Sequence, residues 1–474
     1  MALLVDIMLK FSCGQYIYMR SEEQMLNIKI DSRKVVKGDT FVCINGYTVD
    51  GHDFVADAIA LGATKIISEK KLDCNVEVEV VKSSEAWLKK HLIENYANEI
   101  NQMQLIGITG TNGKTTTCYL TYQMLNFLGC RSAYIGTLGF CTLENEIEVD
   151  NTTPNILDLY MMLLSAKKDG YKCVVMEVSS HALSMGRTDG LNFKIGGFTN
   201  LTQDHLDYHN TMDDYVNAKV MLIDLLTKDG VMLVNTDVDY HEKFLTPKSK
   251  SFGKSASDYK IINYDMRING TNIIFEVDKQ KYEIKSNLTT IFNVYNYVMA
   301  MAICHSAGYS IEEIIAITSL VHAPIGRAQI FNVNGGIAVV DYAHTPDAVE
   351  KIITSFNEIR HNKLITIIGC GGDRDPKKRP IMGKIASDLS DYVVFSSDNP
   401  RTEDPKAIMD DILAGVTKNN YEVVLDRKQA IKEALDMVGN DDILLILGKG
   451  HEDYQIIGRE KIHLSDIEEV ENYV

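Results

Sequence analysis

A glycine-rich loop between an apolar strand and a helix is the feature that most constrains the fold. The segment Q-L-I-G-I-T, which begins at Gln104, continues into T-G-T-N-G-K-T-T, and a helix is predicted from near Lys114. In this arrangement backbone N–H groups and the helix N-terminus can cradle phosphates. Lys114 would then contact the β- and γ-phosphates of a nucleotide, and Thr115 a magnesium ion. The match to G-x-x-x-x-G-K-[ST] is imperfect, because Ile108 occupies the first glycine position.

Short apolar strands alternate with helices along the rest of the chain, and 474 residues are enough for about three domains. We predict an α/β protein with domains at residues 1–102, 103–327 and 328–474, each built on a parallel sheet. The first residues, to Phe11, are predicted to form an amphipathic helix and not a signal peptide, since they carry Asp6 and lack a basic start. Predicted strands lie near Ile66, Val78, Cys173–Met176, Gly230–Val234, Ile273–Val277, Val339, Ile367, Val394 and Leu445.

Charge and cysteine usage narrow the class of protein. The formal net charge is −17 and there is no long basic run, so no nucleic-acid partner is expected. The nine cysteines are scattered without a C-x-x-C pair, which argues against a disulfide framework and structural zinc and favours buried thiols in a reducing compartment. No run of about eighteen apolar residues could span a membrane. We expect a cytoplasmic monomer that acts on small molecules.

Two side chains of the central segment could take part in chemistry. Glu177 ends the apolar strand V-V-M-E, where parallel sheets place ligand crevices and where a carboxylate suits magnesium. A helix-capping or salt-bridged glutamate is an equal alternative at this position. His205, in N-L-T-Q-D-H-L-D-Y-H, could bind metal, although a simple hydrogen bond in a polar crevice explains it as well.

Four polar turns in the last segment follow predicted strands. D-Y-A-H-T-P contains Asp341 and His344, which could face a ligand or satisfy the start of a helix. The other three are G-C-G-G-D-R-D from Gly369, D-N-P-R from Asp398 and G-K-G-H-E from Gly448. Their arginines could bind a carboxylate bidentately while their acids hold an ammonium group, so a zwitterionic amino acid would fit. A solvated charge cluster is the alternative.

Ten ordered motifs together resemble the Mur ligases of peptidoglycan synthesis over nearly the whole chain. They are D-S-R-K-V-x-x-G-D-T-F from Asp31, T-G-T-N-G-K-T-T from Thr109, N-T-T-P from Asn151, M-E-V-S-S-H-A-L from Met176, D-H-L-D-Y-H from Asp204, F-N-V-Y-N from Phe292, D-Y-A-H-T-P from Asp341, G-G-D-R-D-P-K-K-R-P from Gly371, D-N-P-R from Asp398 and G-K-G-H-E-D-Y-Q from Gly448. The resemblance implies an N-terminal domain for a uridine nucleotide, a central P-loop-type ATPase and a C-terminal Rossmann-like domain that brings an amino acid.

The resemblance also implies an activity. It points to an ATP- and magnesium-dependent ligase that joins meso-diaminopimelate to the D-glutamate γ-carboxylate of UDP-MurNAc-L-Ala-D-Glu through an acyl phosphate. D-N-P-R is the family's signature for diaminopimelate, and Lys219 matches the lysine that the family carbamylates with carbon dioxide. The alternatives are a lysine- or ornithine-adding ligase, a folylpolyglutamate synthetase, and, from another class, a P-loop ATPase, kinase or silent scaffold.

The matching motifs imply four groups of site residues. The catalytic group is Lys114, Glu177, His205 and Lys219, and the metal group is Thr115, Glu177, His205 and Lys219 as N6-carboxylysine. ATP contacts are implied for Gly110, Thr111, Asn112, Gly113, Lys114, Thr115, Thr116, Asn296, Arg327, Asp341 and His344. Contacts to UDP-MurNAc-dipeptide are implied for Ser32, Asn151, Thr152, Thr153, Ser180 and Arg187. Contacts to diaminopimelate are implied for Arg374, Asp398, Asn399, Pro400, Arg401, Gly448 and Glu452.

Overall fold

A computed structural model describes residues 26–46 and 49–474 of the chain. The chain divides into two compact units, of which the first comprises residues 1–107, 130–194 and 224–230. The second comprises residues 108–129, 195–223 and 231–474. The amphipathic helix predicted for the first eleven residues lies outside the described residues. The predicted domain boundaries after residues 102 and 327 stay a prediction.

A four-stranded parallel sheet forms the start of the first unit. Its strands are Ile28–Lys29, Thr40–Val42, Lys65–Ser68 and Glu77–Val80, in that spatial order. Phe41 and Ile66 are fully buried, and they pack with Val55 and Ala58 of a short helix. The helices of this region are Ser32–Lys34, Gly51–Phe54, Val55–Ala60, Ser84–Leu92, Ile93–Ala97 and Asn98–Ile100. The side chain of Ser83 caps the N-terminus of the helix Ser84–Leu92.

The remainder of the first unit carries a second set of strands. Ser132–Gly136 pairs in parallel with Cys173–Glu177, whose five residues are all buried, and pairs antiparallel with Gly139–Cys141. The predicted strand from Cys173 therefore forms, and Glu177 is its last residue. The other elements are the strand Glu146–Ile147 and the helices Ile156–Lys168 and Ser180–Ser184.

The second unit begins with the glycine loop and its helix, Lys114–Phe127. This helix packs against Ile291–Ser306, which is buried along most of its length because it has apolar residues on every face. The remaining helices before residue 325 are Leu206–His209, Met212–Asp224, His241–Phe244, Ile311–Ala316 and Thr318–Leu320. Three strands have residues in both units: Gln104–Thr109, Phe193–Phe198 and Leu226–Asn235.

Residues 259–286 differ from the predicted alternation of parallel strands and helices. Tyr259–Arg267, Gly270–Val277 and Gln280–Ser286 form an antiparallel meander, and only Lys250–Gly253 next to it continues a parallel pairing. Asp278 and Lys279 both have positive φ, 50° and 67°, as a two-residue hairpin turn requires. The strand predicted at Ile273–Val277 is therefore present, but without flanking helices.

A six-stranded sheet ends the second unit, and the four strands predicted for this segment belong to it. Successive residues of its strands alternate between two buried clusters, so helices cover both faces. In spatial order the strands are Gln329–Val333, Gly336–Asp341, Ile443–Leu447, Leu364–Ile368, Tyr392–Phe395 and Tyr421–Val423, of which only the first is antiparallel. The helices are Pro346–Ile359, Lys378–Leu389, Pro405–Leu413, Arg427–Met437 and Asp466–Glu471, and a hairpin joins Tyr454–Ile457 to Glu460–His463.

Six of the described cysteines are buried, whereas Cys74 and Cys130 are partly exposed, so the prediction of buried thiols is wrong for these two. In the part of the chain that the structure describes, no helix has both the length and the apolar character needed to cross a membrane.

Candidate active site

The glycine loop is held in a strained backbone conformation by the segment that contains Thr199 and Asn200. Thr111 N donates to the Asn200 carbonyl at 2.9 Å, and Asn112 N donates to the Asn200 side-chain oxygen at 3.0 Å. The loop needs its glycines, because Gly110 and Gly113 have φ of 147° and 85°. A Cβ on Gly113 would also collide with Asn296 Oδ1, so this loop and the helix Ile291–Ser306 are in close contact.

Gly113→Ala is expected to weaken binding of a nucleoside triphosphate about tenfold, because the loop must move away from Asn296. Gly129→Ala is the matched control: Gly129 has nearly the same φ, 84°, but nothing lies within 4 Å of its added Cβ. Calorimetric titration with a non-hydrolysable ATP analogue measures the difference. Equal affinities in the two variants would contradict a role for the Gly113 contact.

Two lysines converge on one carbonyl at this loop. Lys114 Nζ donates to the carbonyls of Gly110 and Thr111, at 2.9 and 2.8 Å, and Lys219 Nζ donates to the same Gly110 carbonyl at 2.7 Å. Lys219 is only 1% exposed, and its ammonium lies over the Tyr215 ring. Burial lowers the pKa of Lys219 well below its usual range, the charge of Lys114 lowers it further, and Asp204 opposes the shift only in part. The buried amine therefore favours its neutral, nucleophilic form.

Asp204 and His205 precede the short helix Leu206–His209. His205 takes a left-handed conformation with φ 52°, and its Nε2 lies 3.4 Å from Asp204 Oδ2. Asp204 also forms an ion pair with Lys378. Burial alone would raise the pKa of Asp204, but the positive charges of His205 and Lys378 outweigh it and lower that pKa. Asp204 thus stays ionised and links this turn to the helix that begins at Lys378.

A cavity of about 270 Å³ opens beside the loop in the second unit. Seven of the predicted ATP contacts line it, namely Asn112, Gly113, Thr116, Asn296, Arg327, Asp341 and His344. Other lining residues had no predicted ligand role: Tyr295 donates to Asp237 Oδ2 at 2.8 Å, and Phe252 and Phe292 add apolar surface. An aromatic and apolar lining beside a glycine-rich loop would suit a planar base attached to phosphates.

Arg327 and Asp341 border this cavity. Arg327 stacks its guanidinium over the Tyr342 ring at 4.4 Å and lies 3.4 Å from the Thr115 hydroxyl. Asp341 accepts hydrogen bonds from the backbone N–H groups of Ala328 and Ala343, at 2.7 and 2.8 Å. Burial raises the pKa of Asp341 even though the Arg327 charge opposes the shift. Asp341 therefore shapes the backbone around the cavity as well as lining it.

In the first unit, a hydrogen-bond network surrounds Glu177. Its Oε1 accepts from Tyr134 at 2.6 Å and from the backbone N–H of Thr137 at 2.8 Å, while its carbonyl accepts from Thr153. Arg187 donates to the Thr153 carbonyl at 2.8 Å, and Thr152 lies 3.2 Å from the Thr137 hydroxyl. Glu177 is fully buried, so these donors replace water around its carboxylate.

The other residues of the first unit with a predicted contact to the UDP-MurNAc-dipeptide are Ser32, Asn151 and Ser180. Ser180 is buried at the start of the helix Ser180–Ser184. Ser32 is also buried, in the turn Ser32–Lys34, and Asn151 is exposed. Among the described residues, no side-chain hydrogen bond joins Ser32 or Asn151 to Thr152, Thr153 or Arg187.

The turns that follow three strands of the C-terminal sheet meet as predicted. Asn399 donates to Glu452 Oε2 at 2.9 Å, and a Cβ on Gly448 would lie 2.6 Å from Asp398 Oδ2. Arg401 donates to the Gly372 carbonyl at 2.7 Å. A Cβ on Gly371 would lie 2.9 Å from Arg401 Nη1 and 3.8 Å from Arg374 Cγ. Pro400 lies in the same turn, and its carbonyl accepts from Glu403 N.

Residues that motif matching did not assign to a ligand surround this cluster. Lys449 is fully buried and its Nζ lies 3.1 Å from Glu452 Oε2. Arg379 is 3% exposed and binds Glu403 and Asp411. Arg427 is 1% exposed and pairs with Asp466. The sequence of a short polar segment does not show whether its charged side chains are buried. A charged residue directly after a strand or turn is only a weak signal that it supports a site.

Three family models match successive parts of the chain. Residues 25–103 match the family described as "Mur ligase family, catalytic domain", residues 108–304 the "Mur ligase middle domain", and residues 326–450 the "Mur ligase, glutamate ligase domain".

Individual relatives are similar over nearly their full length. The UDP-N-acetylmuramoyl-L-alanyl-D-glutamate--2,6-diaminopimelate ligase of Bacillus cereus is 39% identical, over 95% of this chain and 94% of the relative. The first such ligase of Clostridium acetobutylicum is 38% identical, over 99% and 98%. A solved structure of a ligase with this name is 31% identical, with a TM-score of 0.65 over 97% of this chain and 96% of that one.

Proposed function

The chain belongs to the Mur ligase family, and on that premise we propose that it adds meso-2,6-diaminopimelate to UDP-N-acetylmuramoyl-L-alanyl-D-glutamate at the expense of ATP. The new amide bond forms at the γ-carboxylate of the D-glutamate. The observation that carries the proposal is the meeting of the Asp398–Arg401 turn with Glu452 at the end of the C-terminal sheet. The names of the full-length relatives support the same activity.

The cavity beside the glycine loop is proposed to bind ATP. Its apolar wall at Tyr295 and Phe292 would hold the base, and the loop from Gly110 to Thr116 the phosphates. Lys114 would offset the negative charge on the γ-phosphate while the D-glutamate carboxylate attacks its phosphorus. The bond from the γ-phosphorus to the bridging oxygen breaks, ADP leaves, and an acyl phosphate forms.

The motifs that match the family imply magnesium contacts at Thr115, Glu177, His205 and Lys219, and we propose these four residues for that role on the motifs alone. Magnesium prefers oxygen donors, and Thr115 and Glu177 supply oxygen atoms directly. The nitrogen of His205 is the least suited donor of the four residues. A carbamate on Lys219 would add two oxygens and a negative charge, and the lowered pKa of this lysine favours its formation. When bound, magnesium neutralises phosphate oxygens.

The Asp398–Arg401 turn and Glu452 are proposed to orient the amino acid. Arg401 and Arg374 would bind a carboxylate, while Asp398 and Glu452 accept from an ammonium group. The attacking amine adds to the acyl carbon and loses a proton, and the carbon–oxygen bond to phosphate breaks. Diaminopimelate carries a second carboxylate that lysine lacks, so a pocket with two arginines favours it.

We further propose that residues 1–102, 103–327 and 328–474 are three domains, in agreement with the three matched regions. The first would bind the uridine nucleotide and contact the muramoyl dipeptide through Ser32, while Arg187 of the second would add a further contact to the dipeptide. Since ATP and UDP-sugars are cytoplasmic metabolites, we place the reaction in the cytoplasm. We also expect the monomer to be sufficient for the reaction.

Measuring phosphate release distinguishes a diaminopimelate-adding ligase from a lysine-adding ligase and from an ATPase or kinase. With ATP, magnesium and UDP-MurNAc-L-Ala-D-Glu, we expect sustained phosphate release with meso-diaminopimelate and at least about a hundredfold less with L-lysine. Lysine lacks the second carboxylate, so the two arginines proposed to bind that group would lose their partner. Release with lysine but not diaminopimelate would contradict the acceptor. Release that does not need the dipeptide would contradict the ligase and favour an ATPase or kinase.

A further inference from the structure

A fully buried ion pair lies behind the amino-acid cluster. Arg427 and Asp466 both have side chains with 0% exposure. The guanidinium binds the carboxylate as a fork, with Nε to Oδ1 at 2.7 Å and Nη2 to Oδ2 at 2.7 Å. Arg427 is the first residue of the helix Arg427–Met437, and Asp466 is the first of the helix Asp466–Glu471.

The remaining donors of Arg427 bind the backbone of two other segments. Nη2 donates to the Leu447 carbonyl at 3.0 Å, and Nη1 donates to the Ser397 carbonyl at 3.4 Å. Leu447 directly precedes Gly448, and Ser397 directly precedes Asp398. One rigid guanidinium therefore connects the starts of the two turns that carry the proposed diaminopimelate contacts.

Stability alone explains this pair poorly. Removing two charges from water is energetically costly, and proteins in which such pairs are replaced by apolar residues are often as stable as the original. Arginine offers five donors in a fixed plane, which lysine cannot match. The Arg427 fork uses this plane to fix two carbonyls as well as Asp466, so the geometry of the two turns is what the pair determines.

We propose that Arg427, held by Asp466, is a positioning residue for the amino-acid substrate, an inference that rests on the proposed function. It sets the spacing between Asp398 and Gly448, while the hydrogen bond from Asn399 to Glu452 joins the same two turns at residues proposed to contact the substrate. Arg427 is not among the residues that line the cavity proposed for ATP. Its loss should therefore affect binding of the amino acid selectively.

The test is the double variant Arg427→Met with Asp466→Leu, which removes both charges and so leaves neither one buried alone. We expect KM for meso-diaminopimelate to rise about tenfold or more, because displacements near 1 Å have effects of this size. KM for ATP and for UDP-MurNAc-dipeptide should stay within about twofold of wild type. Arg427→Lys, which keeps the charge but not the fork, should show a smaller rise in the same constant.

The matched control is Lys428→Gln with Glu469→Gln. Lys428 and Glu469 connect the same two helices at 2.9 Å, but Lys428 is 69% exposed. This control should leave all three KM values unchanged. A folded double variant with an unchanged KM for the amino acid would overturn the inference, as would an equal rise in all three constants. If the double variant does not fold, Arg427→Lys decides between the same outcomes.

Failure of the proposed function gives a different result. In that case the wild-type protein itself would release no phosphate in response to diaminopimelate. If wild type accepts L-lysine instead, the same variants are measured with lysine, and a selective rise in its KM still supports the role of Arg427.

Discussion

Replacing Lys219 with alanine is expected to lower kcat about 10³-fold, the size of effect seen when one group that stabilises a transition state is removed. Lys219 is buried and has a strongly lowered pKa, and the nearby Lys114 charge contributes to that shift. A neutral amine can attack carbon dioxide, form a nitrogen–carbon bond and lose a proton. The product is a carbamate, which replaces a neutral buried amine by an anion near the Lys114 ammonium.

Lys219→Met distinguishes the carbamate from a simple packing role. Methionine fills the space but has no nucleophilic nitrogen, so we expect the same loss of kcat as for alanine. Millimolar acetate should restore activity partly in Lys219→Ala, where the shortened side chain leaves room for a carboxylate, but not in Lys219→Met. Bicarbonate should not restore Lys219→Met, which has no nitrogen to carbamylate and no room for a free anion. Full activity of Lys219→Met would contradict the carbamate.

The same chemistry fixes the direction of the pH dependence. Only the neutral amine adds carbon dioxide, so carbamylation falls as the pH drops through the lowered pKa of Lys219. Removing dissolved carbon dioxide should therefore reduce wild-type activity more at low than at high pH.

Much of this site could be predicted from sequence because its residues follow strands. Parallel strands bring their carboxyl ends to one edge of a sheet, so D-N-P-R and G-K-G-H-E, which follow separate strands, had to meet. The loop before Lys114 was predictable for the same reason. The Mur ligase family and the α/β fold class that these motifs indicated are confirmed by the full-length similarity.

The antiparallel meander was missed although local signals were present. Asn269–Gly270 is a strong hairpin signal, and Ile273, Phe275 and Val277 alternate buried with partly buried neighbours in the strand Gly270–Val277. The apolar run I-I-F-E-V was instead interpreted as one more buried parallel strand, because short apolar runs look alike in both settings.

The cavity lining at Asp237 and Tyr295 and the buried contacts of Arg427 could not be predicted, because they depend on tertiary structure. Asp237 and Tyr295 are far apart in sequence, and only the fold brings them within 2.8 Å. Arg427, in the polar segment D-R-K-Q, resembles a surface charge next to a helix start until its burial is known. No spacing rule links it to Asp466, Ser397 and Leu447.

Replacing Lys114 with alanine is expected to lower kcat/KM for ATP about 10³-fold, since this residue supplies a positive charge at the loop proposed to bind the phosphates. Its ammonium binds two loop carbonyls, and its neighbours Gly113 and Thr116 line the cavity. Lys351 lines the same cavity but is paired with Asp347 at 2.8 Å, so Lys351→Ala is the matched control and should change kcat/KM only a few-fold, as about 1 kcal/mol implies.

The loss of Lys114 should also affect the second lysine. Because the charge of Lys114 lowers the pKa of Lys219, Lys114→Ala should raise that pKa and reduce carbamylation at neutral pH. Quantitative ¹³C NMR with labelled bicarbonate measures the carbamate directly in Lys114→Ala, Lys351→Ala and wild type. A carbamate signal that is equal in all three proteins, together with the expected loss of activity, would confine the role of Lys114 to the phosphates. Equal activity of Lys114→Ala and Lys351→Ala would contradict the assignment of the loop itself, because a lysine already neutralised by Asp347 would then matter as much as the one bound to the loop carbonyls.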